Sequence, residues 1–134
     1  MKSPFQLSLK ILAIIFWLYI PIFILSVLPM LDISVPKFFF TEFRGENYAW
    51  DFELMFTAIF LVWGYYLWKI SKNPLENLTF IDFTIWATIF HLIAMRLIGV
   101  IRASDLSHML KDMLGMGLPL LFVIYNRINI KSIL

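Results

Sequence analysis

The chain has 134 residues, 61% of them A, V, I, L, M, F, W, Y or C and only 15% charged, against about 45–50% and about 25% in soluble domains, which excludes an ordinary water-soluble globule. The formal charge of +2 is scattered along the chain, so no basic run is available to track phosphates, and nucleic acid is not an expected partner. With no cysteine, disulfides, thiolate nucleophiles, iron–sulfur clusters and covalent c-type haem are removed together.

A bilayer-spanning helix needs about 20 residues, so four spans with short connectors would use nearly the whole chain as one membrane domain. The polar flank MKSPFQLSLK leads into the first span, about residues 11–31, which holds no ionisable side chain. Its apolar core is longer than that of a secretory signal and lacks a small-residue cleavage site, so an uncleaved helix is expected. Pro21 lies mid-span, where a kink is the physical default, and Pro29 marks the exit. Residues 32–49, DISVPKFFFTEFRGENYA, carry Phe38, Phe39, Phe40 and Phe43 among Lys37, Glu42 and Arg44. That mixture suits the headgroup level, as an interfacial half-helix or a loop over the helix ends.

The second span is expected over about 50–69, where Trp63, Tyr65, Tyr66 and Trp68 read as an interface anchor. Asn73-Pro74 signals the turn to a third span over about 80–101, and residues 102–105 form a tight link to a fourth over about 106–125. Placing both termini inside puts Lys2, Lys10, Lys69, Lys72, Arg127 and Lys131 on the cytoplasmic side, against Lys37, Arg44, Arg102 and Lys111 outside. The bias favours N-in, C-in.

Spans two to four are broken by ionisable residues at matching depth. Residues of equal distance from a short link lie side by side in antiparallel helices, which brings Arg96 to Asp112 and His108 near Gly99 across the last link. The preceding link brings Arg96 within a helical turn of Glu53. Glu53, Arg96, His108 and Asp112 are therefore expected to form an outer-leaflet polar cluster, facing inward because an intramembrane charge costs about 2.5–3.5 kcal/mol at a helix centre. Such a network can simply tie three helices together, or it can be a proton or ligand site open to the outer side.

His91 lies deeper, on a semi-polar stripe with Thr84, Thr88, Met95, Gly99 and Arg102, and its reflected partner is Gly115 or Met116. The small residues Gly115 and Gly117 would allow close backbone approach there. His91, Met95, His108, Asp112, Met113 and Met116 are the candidate metal ligands, because thioethers with imidazole suit Cu(I) and a His–carboxylate pair suits a harder ion. A His–Met haem is a further option, whereas His91 and His108 differ too much in depth to share one iron. Methionine also serves as plain gap filler, and the expectation is that no cofactor is bound. The hydrolase, metalloprotease, P-loop and dinucleotide motifs are all absent.

The strings WDFELMFTAIFLVWGYYLWK, NPLENLTFIDFTIWATIFHLIAM and HMLKDMLGMGLPLLF resemble a family of small, uncharacterised bacterial four-helix membrane proteins in the neighbourhood of DoxX-like proteins. The resemblance covers roughly residues 48–125. It implies the fold and a bacterial cytoplasmic membrane, and no catalytic residue.

The expected fold is an all-α integral membrane protein, an up-down four-helix transmembrane bundle with an interfacial loop or half-helix between the first two spans. The expected role is a non-catalytic structural or accessory component, such as a subunit of a larger membrane complex or a homo-oligomer. The alternative is a small protein binding a metal, haem or quinone at the polar site, and a proton-coupled transporter or channel-like oligomer ranks third.

Overall fold

The structure is a computed structural model that describes residues 3–28, 50–101 and 106–132; the side chains at 26–27, 50–53, 106–112 and 131–132 are not among those described. The expected half-helix or loop over 32–49 and the link at 102–105 thus lie outside the described residues. Within them the chain is all-helical: α1 (Pro4–Val27), α2 (Trp50–Ile70), α3 (Leu78–Ile101) and α4 (Leu106–Ile128), with 3₁₀ turns at Pro74–Asn77 and Asn129–Ser132. The bounds of α2, α3 and α4 fall close to the expected spans. α1 does not follow expectation, starting seven residues earlier.

The early start has a local cause. Ser3 Oγ accepts from the Gln6 backbone N–H at 3.2 Å, and Gln6 Oε1 accepts from the Ser3 N–H at 3.2 Å. This capping box satisfies two amide donors, while Pro4 occupies the first helical position, where a missing N–H costs nothing. Gln6 Nε2 also donates to Lys72 O at 2.8 Å, tying the start of α1 to the end of α2.

α1 packs on α2 and on α4, and α4 also packs on α3; Gln6–Lys72 with Trp17–Leu61, and Asp82–Arg127 with Leu92–Gly117, show that α1 with α2 and α3 with α4 run antiparallel. Phe5, Leu9, Leu12, Ala13 and Phe16 form the buried stripe of α1 at helical spacing. They meet Phe60, Leu67 and Ile70 from α2, Ile81 from α3, and Met116 and Val123 from α4. Ser8, Thr57, Thr84, Thr88 and Asn126 are buried with them. Two stretches, Pro4–Leu25 and Pro74–Ile101, are long and apolar enough to cross a membrane, whereas α2 and α4 contribute the shorter apolar stretches Leu54–Ile70 and Met113–Ile128.

α1 and α2 approach closely where Trp17 crosses Gly64. A Cβ on Gly64 would come 2.7 Å from Trp17 Nε1 and 3.1 Å from Ala13 O. With no side chain in the way, the Trp17 indole lies across α2 and donates to Leu61 O at 3.2 Å. The glycines expected to allow close approach, Gly115 and Gly117, do not do so: nothing lies within 4 Å of a Cβ at Gly115, and Leu92 Cδ1 lies at an ordinary 3.8 Å from one at Gly117. Gly115 faces outward, so its small size is not used for packing.

Gly64→Ala should therefore destabilise the fold by about 1–3 kcal/mol, despite the higher helix propensity of alanine. Thermal unfolding in detergent would check this. Adding Trp17→Ala, itself destabilising, should abolish most of the extra penalty.

Candidate functional site

The Thr84, Thr88, His91, Met95 and Gly99 stripe of α3 faces the interior as its spacing requires: Thr84, Thr88 and Gly99 are buried, and His91 and Met95 are half-buried. Thr84 Oγ1 accepts from Trp63 Nε1 at 3.0 Å. Trp63 thus leaves the expected interface anchor and becomes a bridge from α2 to α3, while Tyr65, Tyr66 and Trp68 remain exposed. Its indole N–H is a donor that needs a partner once buried, and a threonine two turns along a neighbouring helix supplies one.

Above that bridge, α2 and α3 stand apart. The gap is a cavity of about 310 Å³ lined by Phe16, Phe56, Ile59, Phe60, Trp63, Ala87, Thr88, His91 and Met116. Its aromatic rings meet one another. Phe16 lies 4.9 Å from Phe60 and 5.3 Å edge-on from Trp63, and the His91 ring stands edge-on to Phe56 and Phe60 at 5.9 and 6.0 Å. Thr88 Oγ1 is fully buried and makes no hydrogen bond. Among the described residues His91 has ring contacts and no hydrogen bond. Phe56 and Ile59, at 43% and 50% exposure, stand at the mouth, which opens sideways between the two helices.

The register of α3 on α4 is held by a bidentate ion pair. Arg127 Nε donates to Asp82 Oδ1 at 2.7 Å and Nη2 to Oδ2 at 2.8 Å. Two parallel bonds fix orientation as well as distance. Asp82–Arg127 and Leu92–Gly117 are both reflections through a point between residues 104 and 105. The same reflection rule that places Arg96 near Asp112 also predicts Asp82–Arg127, a pair missed in the sequence because both residues lie at the ends of the apolar stretches rather than interrupting them.

The expected site residues divide between two levels. His91 and Met116 come together in the cavity, as reflection across the last link requires, and Met95 and Met113 are half-buried farther along the same helices. Arg96 is exposed. Glu53, His108 and Asp112 lie in helices, but their side chains fall outside the described residues, so the cluster expected around Arg96 does too. Among the described residues, no three His, Cys, Asp or Glu side chains gather as a metal group. The residues that sequence reasoning missed are Thr88 as an unpaired hydroxyl and Trp63 and Phe60 as cavity walls.

A family model described as a family of unknown function, DUF6632, matches residues 3–131. The chain belongs to DUF6632. This agrees with the resemblance to an uncharacterised family; a DoxX-like neighbourhood is not shown by it. No curated protein and no solved structure matches this DUF6632 chain.

Asp82→Asn should cost about 1 kcal/mol, modest because Asp82 is 44% exposed and Arg127 29%. The exchange Asp82→Arg with Arg127→Asp should recover much of the loss in a detergent melt, and an exchange worse than either single variant would contradict the pairing.

Proposed function

We propose that this DUF6632 chain is an integral membrane protein whose four helices all cross the bilayer as an up-down bundle, and that it serves as a non-catalytic accessory component of a membrane assembly. One observation carries this reading, an exterior that is as apolar as the core and a few polar side chains that are buried instead. Ser8, Thr57, Thr84, Thr88 and Asn126 are buried, whereas Leu7, Ile14 and Leu18 on α1, Ile59 and Val62 on α2, Phe83, Trp86, Phe90 and Leu97 on α3, and Leu118, Leu121 and Phe122 on α4 are exposed. Soluble monomers rarely expose contiguous apolar patches beyond a few hundred Å². An apolar exterior around all four helices instead suits hydrocarbon, which has no water to satisfy a polar group.

The apolar stretches of α2 and α4 are 17 and 16 residues, about 25 Å at 1.5 Å per residue and short of a roughly 30 Å core. Local thinning and extended basic side chains accommodate that mismatch. Lys69 and Arg127 stand where such side chains are needed. Lys10 Nζ lies 5.3 Å from the centre of the Trp68 ring at the same end as Lys69, Lys72 and the exposed Tyr65 and Tyr66. A basic and aromatic belt of this kind supports the N-in, C-in orientation, and the resemblance in the sequence supports a bacterial cytoplasmic membrane.

At the other end, reflection through the last link brings Arg96 level with Met113, one residue from Asp112. Glu53, Arg96, His108 and Asp112 therefore stay a proposed polar level near the outer headgroups, with Arg96 turned outward. The accessory role is supported by an exposed aromatic ridge on α3, where Trp86 and Phe90 lie 6.3 Å apart with 61% and 64% exposure. Aromatic residues are enriched at the cores of protein interfaces, and a second helix or a second copy would cover them.

Alkaline carbonate should leave the protein in the membrane pellet, and Lys72→Cys, the sole cysteine of that variant, should react with an impermeant maleimide only when the cytoplasmic face is open. Release into the supernatant would contradict the membrane assignment. Native mass spectrometry from mild detergent should show a complex, and a lone chain under all mild conditions would contradict the accessory role.

A further inference from the structure

We propose that the seam between α1 and α2 at the inner end of the bundle binds the phosphodiester head group of an anionic phospholipid, with Lys10, Lys69 and Lys72 around the phosphate. The proposal rests on the N-in, C-in membrane reading above, which sets this end at the level of the cytoplasmic headgroups.

The register of the seam brings the three lysines together. Gln6 Nε2 donates to Lys72 O and Trp17 Nε1 donates to Leu61 O. Between those two bonds, Lys10 Nζ lies 5.3 Å from the centre of the Trp68 ring. Trp68 packs in turn on Trp17 at 5.6 Å, so the Lys10 ammonium sits over a ring that is itself held in place. On α2, Tyr65, Trp68, Lys69 and Lys72 share one face by helical spacing, and all four are exposed.

The charge at this end is not balanced from within. By place in the chain the inner side holds Lys2, Lys10, Lys69, Lys72, Arg127 and Lys131 against the two acids Glu76 and Asp82. Asp82 is taken by Arg127, and Glu76 stands on the 3₁₀ turn beyond Lys72. Among the described residues, neither Lys69 nor Lys72 is paired with a carboxylate. An anion from outside the chain supplies what is missing, and the inner leaflet offers one on its own surface.

Along the seam the chemistry follows the order of a phospholipid. The lysines come first, and Tyr65 and Trp68 beside them suit the glycerol level. Deeper along the same seam Ile14 and Leu61 are exposed at 45% and 46%, where an acyl chain would lie. A choline head group would set its own ammonium among three others, which favours an anionic lipid over a zwitterionic one. An acidic segment of a partner protein would satisfy the lysines but gains nothing from Ile14 and Leu61.

Native mass spectrometry of the full chain from detergent carrying equal amounts of phosphatidylglycerol and phosphatidylcholine tests this directly. Phosphatidylglycerol should be retained about tenfold more than phosphatidylcholine, and Lys10→Gln, Lys69→Gln and Lys72→Gln should each lower its retention roughly fivefold, the effect of one basic residue at an anionic surface. Lys37→Gln with Arg44→Gln removes two charges from the side expected to face outward, and should leave retention unchanged. Equal loss in that control would reduce the effect to net charge. Equal retention of the two lipids by the unaltered chain would remove the selectivity, and displacement by glycerol phosphate or a hexaglutamate peptide at the lipid's own concentration would remove the need for a lipid. Each of these three results overturns the proposal. Carbonate extraction and maleimide labelling of Lys72→Cys report insertion and sidedness whatever the lipid, so failure of the site and failure of the membrane reading are distinguishable.

Discussion

A chain so rich in leucine, isoleucine and phenylalanine has few places for a hydroxyl or amide, and among the described residues Ser8, Thr57, Thr84, Thr88 and Asn126 stand on the inward faces of the helices. Ser8 donates to Phe5 O at 2.9 Å, and Asn126 donates to Phe122 O at 2.7 Å while reaching Ser8 Oγ at 3.5 Å. These bonds run largely to the helix backbone, which is always at hand when water is not. Thr84 is satisfied by Trp63 in the same way, across two helices. Thr57 and Thr88 are the described exceptions, each with a buried hydroxyl lacking a partner.

The cavity between α2 and α3 exists because the helices are pinned elsewhere. Gly64 lets α1 lie tightly against α2 under the Trp17 indole, and the Asp82–Arg127 fork holds α3 to α4. The pair α2 and α3 is left to meet through long side chains, with Trp63 as the strut. Large rings cannot interdigitate as densely as aliphatic side chains across such a gap, and a void bounded by their faces remains.

Much of the helical layout was legible in the sequence because it depends on runs of apolar residues and on turn signals such as Asn73-Pro74. The inward stripe of α3 was legible too, since Thr84, Thr88 and His91 share a face by helical spacing alone. The start of α1 was misplaced because Ser3-Pro4-Phe5-Gln6 was read as a polar flank, although its spacing is that of a capping box. Gly64 was overlooked in favour of Gly115 and Gly117, because a glycine's use depends on what crosses it, and Trp17 is 47 positions away in the chain. Asp82 and Arg127 escaped notice for a different reason: charges at the ends of apolar stretches look like ordinary interface residues until the helices are paired. Trp63 sits among tyrosines and a tryptophan that face outward, and only its rotation about α2 separates it from them.

The most direct test of the apolar exterior uses the chain's lack of cysteine. Spin labels at Phe90→Cys, Leu121→Cys and Ile14→Cys, each the sole thiol in its variant, can be measured in liposomes for collision with oxygen and with a water-soluble nickel complex. High oxygen and low nickel accessibility at all three sites is the expected result, because oxygen concentrates in hydrocarbon and the nickel complex is excluded from it. Nickel accessibility at these positions equal to that of a label at Lys72→Cys would show that the apolar faces meet water, and would contradict the membrane-embedded fold.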